Sequence, residues 1–234
     1  REFGRHLSGL TAHQGRRPVL LRQLDKTSWQ AECNGAAALV LSWRVYAFDT
    51  SVRAAFLDSR RGFFNNTSLC LRVHGREGET HRLELGRLPR GWEVATAMPP
   101  AADGAPLAYE AAGYDELVDH PFALGSFWRG SFSAGGVPHD MVVAGALPGF
   151  DGARLLADAQ RICSAQIAFW HGEDSSPPTF QRYVFLLNAV ENGYGGLEHR
   201  ASTALIAARR DLPRARMDGA PDGISDGYLI LLGL

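Results

Sequence analysis

Lysine is almost missing from this sequence: Lys26 is the single example among 24 basic residues, and 25 acidic residues bring the formal charge to −1. No arginine cluster tracks a helix face or a groove, so the bias reads as the codon usage of a GC-rich bacterial genome rather than as anion recognition. Near-neutral, interspersed charge excludes the electrostatic footprint of a nucleic-acid binder and polybasic attraction to an anionic membrane. Cysteine is equally scarce. Cys33, Cys70 and Cys163 are odd in number, far apart and without C-x-x-C spacing, which excludes a disulfide framework and a thiolate metal site; they read as small core residues. No apolar run approaches the roughly 18 to 20 residues of a spanning helix, and REFGRHLSGL lacks the three regions of a signal peptide. Cytoplasmic and periplasmic locations both stay open.

Catalytic signatures are also lacking. There is no H-E-x-x-H, and the inverted H-x-x-E-H fails because Gly195 stands where its first histidine belongs. His139-Asp140, His74 and His81 have no ligand spacing and read as surface or turn residues. No serine sits in a G-x-S-x-G elbow. Asn65 and Asn66 both satisfy the N-x-S/T pattern, which without a secretion signal reads as accidental.

What is present is a large apolar fraction, 45% of 234 residues, enough to bury a sizeable core. In the first half, Leu39, Leu41, Trp43 and Val45 alternate with polar residues in AALVLSWRVYAF, the period of a half-buried strand. TSLCLRV, HRLELG and WEVAT give further short strands, and the set predicts an antiparallel sandwich. MPPAADGAP, Met98 to Pro106, predicts a loop near a domain boundary. Beyond it, DGARLLADAQRICSAQIAFWHG predicts a helix with Asp151 as N-cap and Gly172 just past its end, its aromatic end Phe169 and Trp170 packed in the core. A proline-marked loop, SSPP, leads to Tyr183 to Val190, an apolar run of strand length that predicts burial on both faces. A polar loop with repeated Asp-Gly steps follows later, and the apolar segment YLILLGL calls for a partner element.

ENGYGGLEHRAST, directly after the buried run, is the densest functional chemistry. Its glycines Gly193, Gly195 and Gly196 admit three readings. A phosphate cradle would need G-x-G-x-x-G or Walker spacing, and neither is present. They could mark a bulge or tight bend, with Glu198 and Arg200 facing solvent. Or they let a substrate backbone approach a strand edge, with Glu198 presented to a cationic group.

GYGGLEHRAST, together with VYAFDTSVRAAFLDSRRGFFNNTSL, YDELVDHPFALGSF and RYVFLLN, resembles the glycyl aminopeptidase family, zinc metallopeptidases of the gluzincin group, along nearly the whole chain. The resemblance implies a mainly β fold with α: an antiparallel β-sandwich N-terminal domain over residues 1–112, its first strands missing, and the β-rich first part of a thermolysin-like α+β catalytic domain over residues 113–234, its zinc-binding helix missing. It implies a peptide substrate, zinc in the full-length enzyme but none bound by this chain, and no catalytic residue here. Gly195 and Gly196 would allow close approach, and Glu198 would hold the substrate α-ammonium. His199 and Arg200 would line the cleft or orient Glu198, or else make a structural hydrogen bond at the strand end. The remainder of the same protein is the expected partner. The alternative is a noncatalytic β-sandwich peptide-binding module.

Overall fold

The computed structural model describes residues 2–172, 178–215 and 223–233. The first half runs through β1 (Leu7–Gln14), β2 (Arg17–Pro18), β3 (Leu21–Gln23), β4 (Trp29–Ala31), β5 (Leu39–Val45), β6 (Ala55–Leu57), β7 (Arg61–Phe64), the one-turn α1 (Asn66–Leu69), β8 (His81–Glu84), β9 (Glu93–Ala95), β10 (Ala108–Ala111), α2 (Tyr114–Val118) and β11 (Phe122–Gly125). Then follow β12 (Trp128–Ala134), β13 (Val137–Ala144), α3 (Gly152–His171), β14 (Tyr183–Val190), β15 (Gly195–Glu198), β16 (Ser202–Ala208) and α4 (Asp226–Leu232). The protein is mainly β with α, as the patterning implies. Its first-half sheets are all antiparallel: β2-β1-β5, β3-β4, β10-β8 and β6-β7-β11-β9. Parts of two predicted loops, residues 175–177 of SSPP and 216–222 of the Asp-Gly stretch, lie outside the described residues.

Strand alternation builds the molecule as layers. Successive side chains of a strand point to opposite faces, so a strand between two apolar layers must be apolar at every position. Phe64, Phe122 and Leu124 face one core, shared with Leu83 and Tyr109 of the β10-β8 sheet and with Leu117 of α2. Their neighbours Phe63 and Ala123 face a second core with Val142, Val184 and Leu186. Met141, Val143 and Leu187 in turn face a third, closed by Leu155 and Ala159 of α3 and by Tyr228 and Leu231 of α4.

The last sheet is mixed, in the order β12-β13-β14-β16-β15. β13, β14 and β16 are parallel, and the two outer strands run antiparallel to their neighbours. Central β14 is the doubly buried strand its apolar run predicts. α3 begins at the predicted cap: the Asp151 carboxylate accepts from Arg154 N–H at 3.0 Å, and Gly172 ends it at φ 73°. The sheet is close enough at its start that a side chain on Gly152 would meet Trp128 Cζ2 at 2.0 Å.

Four expectations fail. TSLCLRV is not a strand, because Asn65 occupies the cap position of α1 and Ser68 Oγ donates back to the Asn65 carbonyl at 2.7 Å, a local bond that competes with sheet pairing. Cys33 is exposed rather than core. Phe169 and Trp170 are 77% and 75% exposed, because α3 outlasts the sheet it covers, and they meet each other edge-on instead. His139 is buried, stacked on Phe132 with its Nδ1–H donating to the Val137 carbonyl at 2.9 Å, while Asp140 pairs with Arg182 at 2.6 Å. No helix among the described residues is long and apolar enough to cross a membrane.

Candidate functional site

β15 is the edge of the five-stranded sheet. It pairs with β16 in four consecutive steps without a register shift, Gly195 opposite Ile206 through Glu198 opposite Thr203. Its outer backbone edge has no strand partner among the described residues. The ladder has no register shift, so the glycines mark no bulge, and strand β16 rather than a helix follows, so the phosphate-cradle reading fails; the chain does bend at residues 191–192 just before the glycines, and Glu198 and Arg200 are both exposed. The glycines divide by role. A Cβ on Gly193 would press on Val190 Cγ2 at 2.8 Å and Ile206 Cγ2 at 3.0 Å, so that glycine serves packing. A Cβ on Gly195 would meet nothing within 4 Å, so this part of the edge is open.

Residues paired across an antiparallel ladder share a face. Gly196 and Glu198 therefore lie on the face of Leu205 and Thr203, which across β14 is also the face of Phe185. That face carries a mostly apolar cavity of about 470 Å³ between sheet and α3, lined among others by Tyr183, Phe185, Leu205, Cys163 and Trp170. Burial pushes the Tyr183 hydroxyl up to about 12, with smaller contributions from Cys163, Glu198 and Asp119, so Tyr183 stays a neutral donor here. The Glu198 carboxylate is exposed and has no hydrogen bond or ion pair among the described residues.

His199 and Arg200 form the turn after Glu198. His199 N–H donates to the Ser202 carbonyl at 2.8 Å. His199 Nε2–H donates to Asn65 Oδ1 at 3.1 Å, and Arg200 N–H to Asp119 Oδ2 at 3.1 Å. Beside them His120 is 5% exposed, its Nε2 4.0 Å from Glu116 Oε1. The structure thus brings Gly195, Gly196, Glu198, His199 and Arg200 into one edge hairpin. It adds Asn65, Asp119 and His120, whose roles sequence reading missed; the NNTS pattern flagged Asn65 only as a glycosylation match. That match is inaccessible, since Asn65 and Asn66 are 2% and 0% exposed.

Burial holds His120, His139 and His199 below the ordinary imidazole value of 6.5; Asp119 opposes this at His120 and His199, the Val137 carbonyl at His139. The unfolded chain therefore binds more protons than the folded one once pH falls below about 6.5, and stability falls with it. The urea midpoint is expected to be level above that value and to drop on acidification towards pH 5, each histidine contributing up to about 1.4 kcal/mol per pH unit. A midpoint independent of pH over this range would show that these imidazoles are not desolvated.

Among the described residues no group of three His, Cys, Asp or Glu side chains could hold a metal ion, so zinc does not fit those residues. Among known proteins, residues 1–126 match the Peptidase M61 N-terminal domain. The crystal structure of an aminopeptidase N family protein from Idiomarina loihiensis superposes on 99% of the chain with TM-score 0.88 and 38% identity; the chain spans 38% of that protein's length. An M1 zinc metallopeptidase from Deinococcus radiodurans aligns with 84% of the chain and 49% of its own, at 10% identity and TM-score 0.48. No curated protein sequence matches. With more than half its length matched and its fold shared almost end to end, the chain belongs to the Peptidase M61 N-terminal domain family.

Proposed function

We propose that this chain is the amino-terminus-binding portion of a zinc-dependent aminopeptidase that removes small, glycine-like residues from peptides. The observation that carries the reading is Glu198: an unpaired carboxylate on a glycine-bearing edge strand, facing the same side as an apolar cavity. An extended peptide can lay its backbone along such an edge. Gly195 removes the side chain that would obstruct it. A carboxylate there accepts charge-assisted hydrogen bonds from a free α-ammonium and gains nothing from a blocked terminus. The amino end of the peptide is then fixed before any bond is cut.

In this reading the zinc is held by polypeptide outside these residues, and of the two proposed parts, residues 1–112 and 113–234, the second carries the cleft strand. The purified 234-residue chain supplied with zinc is expected to leave an aminoacyl anilide intact, whereas the full-length protein hydrolyses it and loses the activity to a chelator. Turnover by the chain alone would place the metal site within it. A full-length protein that binds free-amino peptides but never cleaves them would make this a noncatalytic binding module.

A further inference from the structure

The turn after Glu198 is held by its own sheet through one bond, His199 N–H to the Ser202 carbonyl, and in addition by two side chains from the first half of the chain. Asn65 accepts from His199, 134 residues away, and Asp119 accepts from the Arg200 amide, 81 residues away. β15 has only four residues and one pairing partner, so the ladder alone leaves its far end weakly fixed.

Both anchors are themselves immobilised by the adjacent pair Asn65 and Asn66. Asn65 Nδ2 donates to the Val52 carbonyl at 2.5 Å, which fixes the carboxamide and turns Oδ1, purely an acceptor, towards His199. His199 must then carry its proton on Nε2. Asn66 Nδ2 donates to the carbonyls of Leu117 and His120, at 2.8 and 3.0 Å, and so clamps the segment that presents Asp119. Two consecutive buried amides thus serve two different anchors of one turn. Burying polar side chains is costly unless each finds partners, and here the bonds lead to the two residues after Glu198, His199 directly from Asn65 and Arg200 by way of Asp119.

We propose that Asn65 and Asn66 are positioning residues for Glu198, setting through His199 and Asp119 where its carboxylate meets the substrate ammonium. The proposal rests on the reading of Glu198 given above. Its test is steady-state kinetics of the full-length enzyme on glycine p-nitroanilide. His199→Ala and Asn65→Leu are each expected to raise KM about fivefold with kcat nearly unchanged. His199→Gln, whose side-chain amide can donate the same bond, recovers most of that loss and covers the case in which Asn65→Leu does not fold. In a Glu198→Gln background His199→Ala brings no further rise, because there is no ammonium ligand left to position; a general folding defect would add in both backgrounds. An unchanged KM in His199→Ala, or equal losses with and without Glu198, overturns the positioning role and leaves Glu198 as the ligand. A Glu198→Gln enzyme with undiminished activity overturns both.

Discussion

Glu198→Gln in the full-length enzyme lowers kcat/KM on substrates with a free amino terminus by about ten- to a hundredfold, the worth of roughly 1.5 to 3 kcal/mol for hydrogen bonds to a charged group. The substitution keeps the size of the side chain but removes the charge and replaces one acceptor oxygen by a donor, so the loss reports recognition of the ammonium. Glu198 is exposed and lacks an internal partner among the described residues, so folding stability should barely change. The control is an N-acetylated substrate, on which wild type and variant should be equally poor. A variant that retains wild-type preference for free over blocked termini would remove Glu198 from the site.

Phe122→Ala carries the largest expected cost in stability, about 3 to 5 kcal/mol. Phe122 is fully buried, stacked on Phe64 at 5.0 Å and met edge-on by Tyr109 at 5.1 Å. Removing the ring forfeits its transfer free energy and both aromatic contacts, and leaves a void between two sheets too rigid to close over it. Urea unfolding of the 234-residue chain measures the loss. A decrease below about 1 kcal/mol would mean that the sheets do not pack on this ring as described.

How far the sequence foretold this structure depended on the range of the forces involved. The doubly buried β14 and the capped α3 were legible because periodicity and caps are local, written into Tyr183–Val190 and into Asp151 and Gly172. GYGGLEHR by its spacing left three readings open, and only the likeness to the aminopeptidase family singled out an edge strand carrying Glu198. Asn65 was not legible, because its meaning is set by a bond to a residue 134 positions away. Alternation misread TSLCLRV because hydrophobic period and turn chemistry compete there, and the Ser68 hydroxyl bonded to the Asn65 carbonyl favours the turn. His139 was misplaced for want of ligand spacing, when an aromatic neighbour and a carbonyl two residues away were enough to bury it. Phe169 and Trp170 follow the helical period perfectly well, but period cannot tell where the covering sheet stops.

The open rim of β15 has a second consequence. A glycine-bearing strand unpaired along its outer edge is a template on which another copy of the chain could stack and begin to aggregate. A lone negative charge on that rim opposes such growth, since joining two copies there would bring like carboxylates together without counterions. The group proposed to welcome a peptide's amino end would thus also act as a gatekeeper against the protein's own strands.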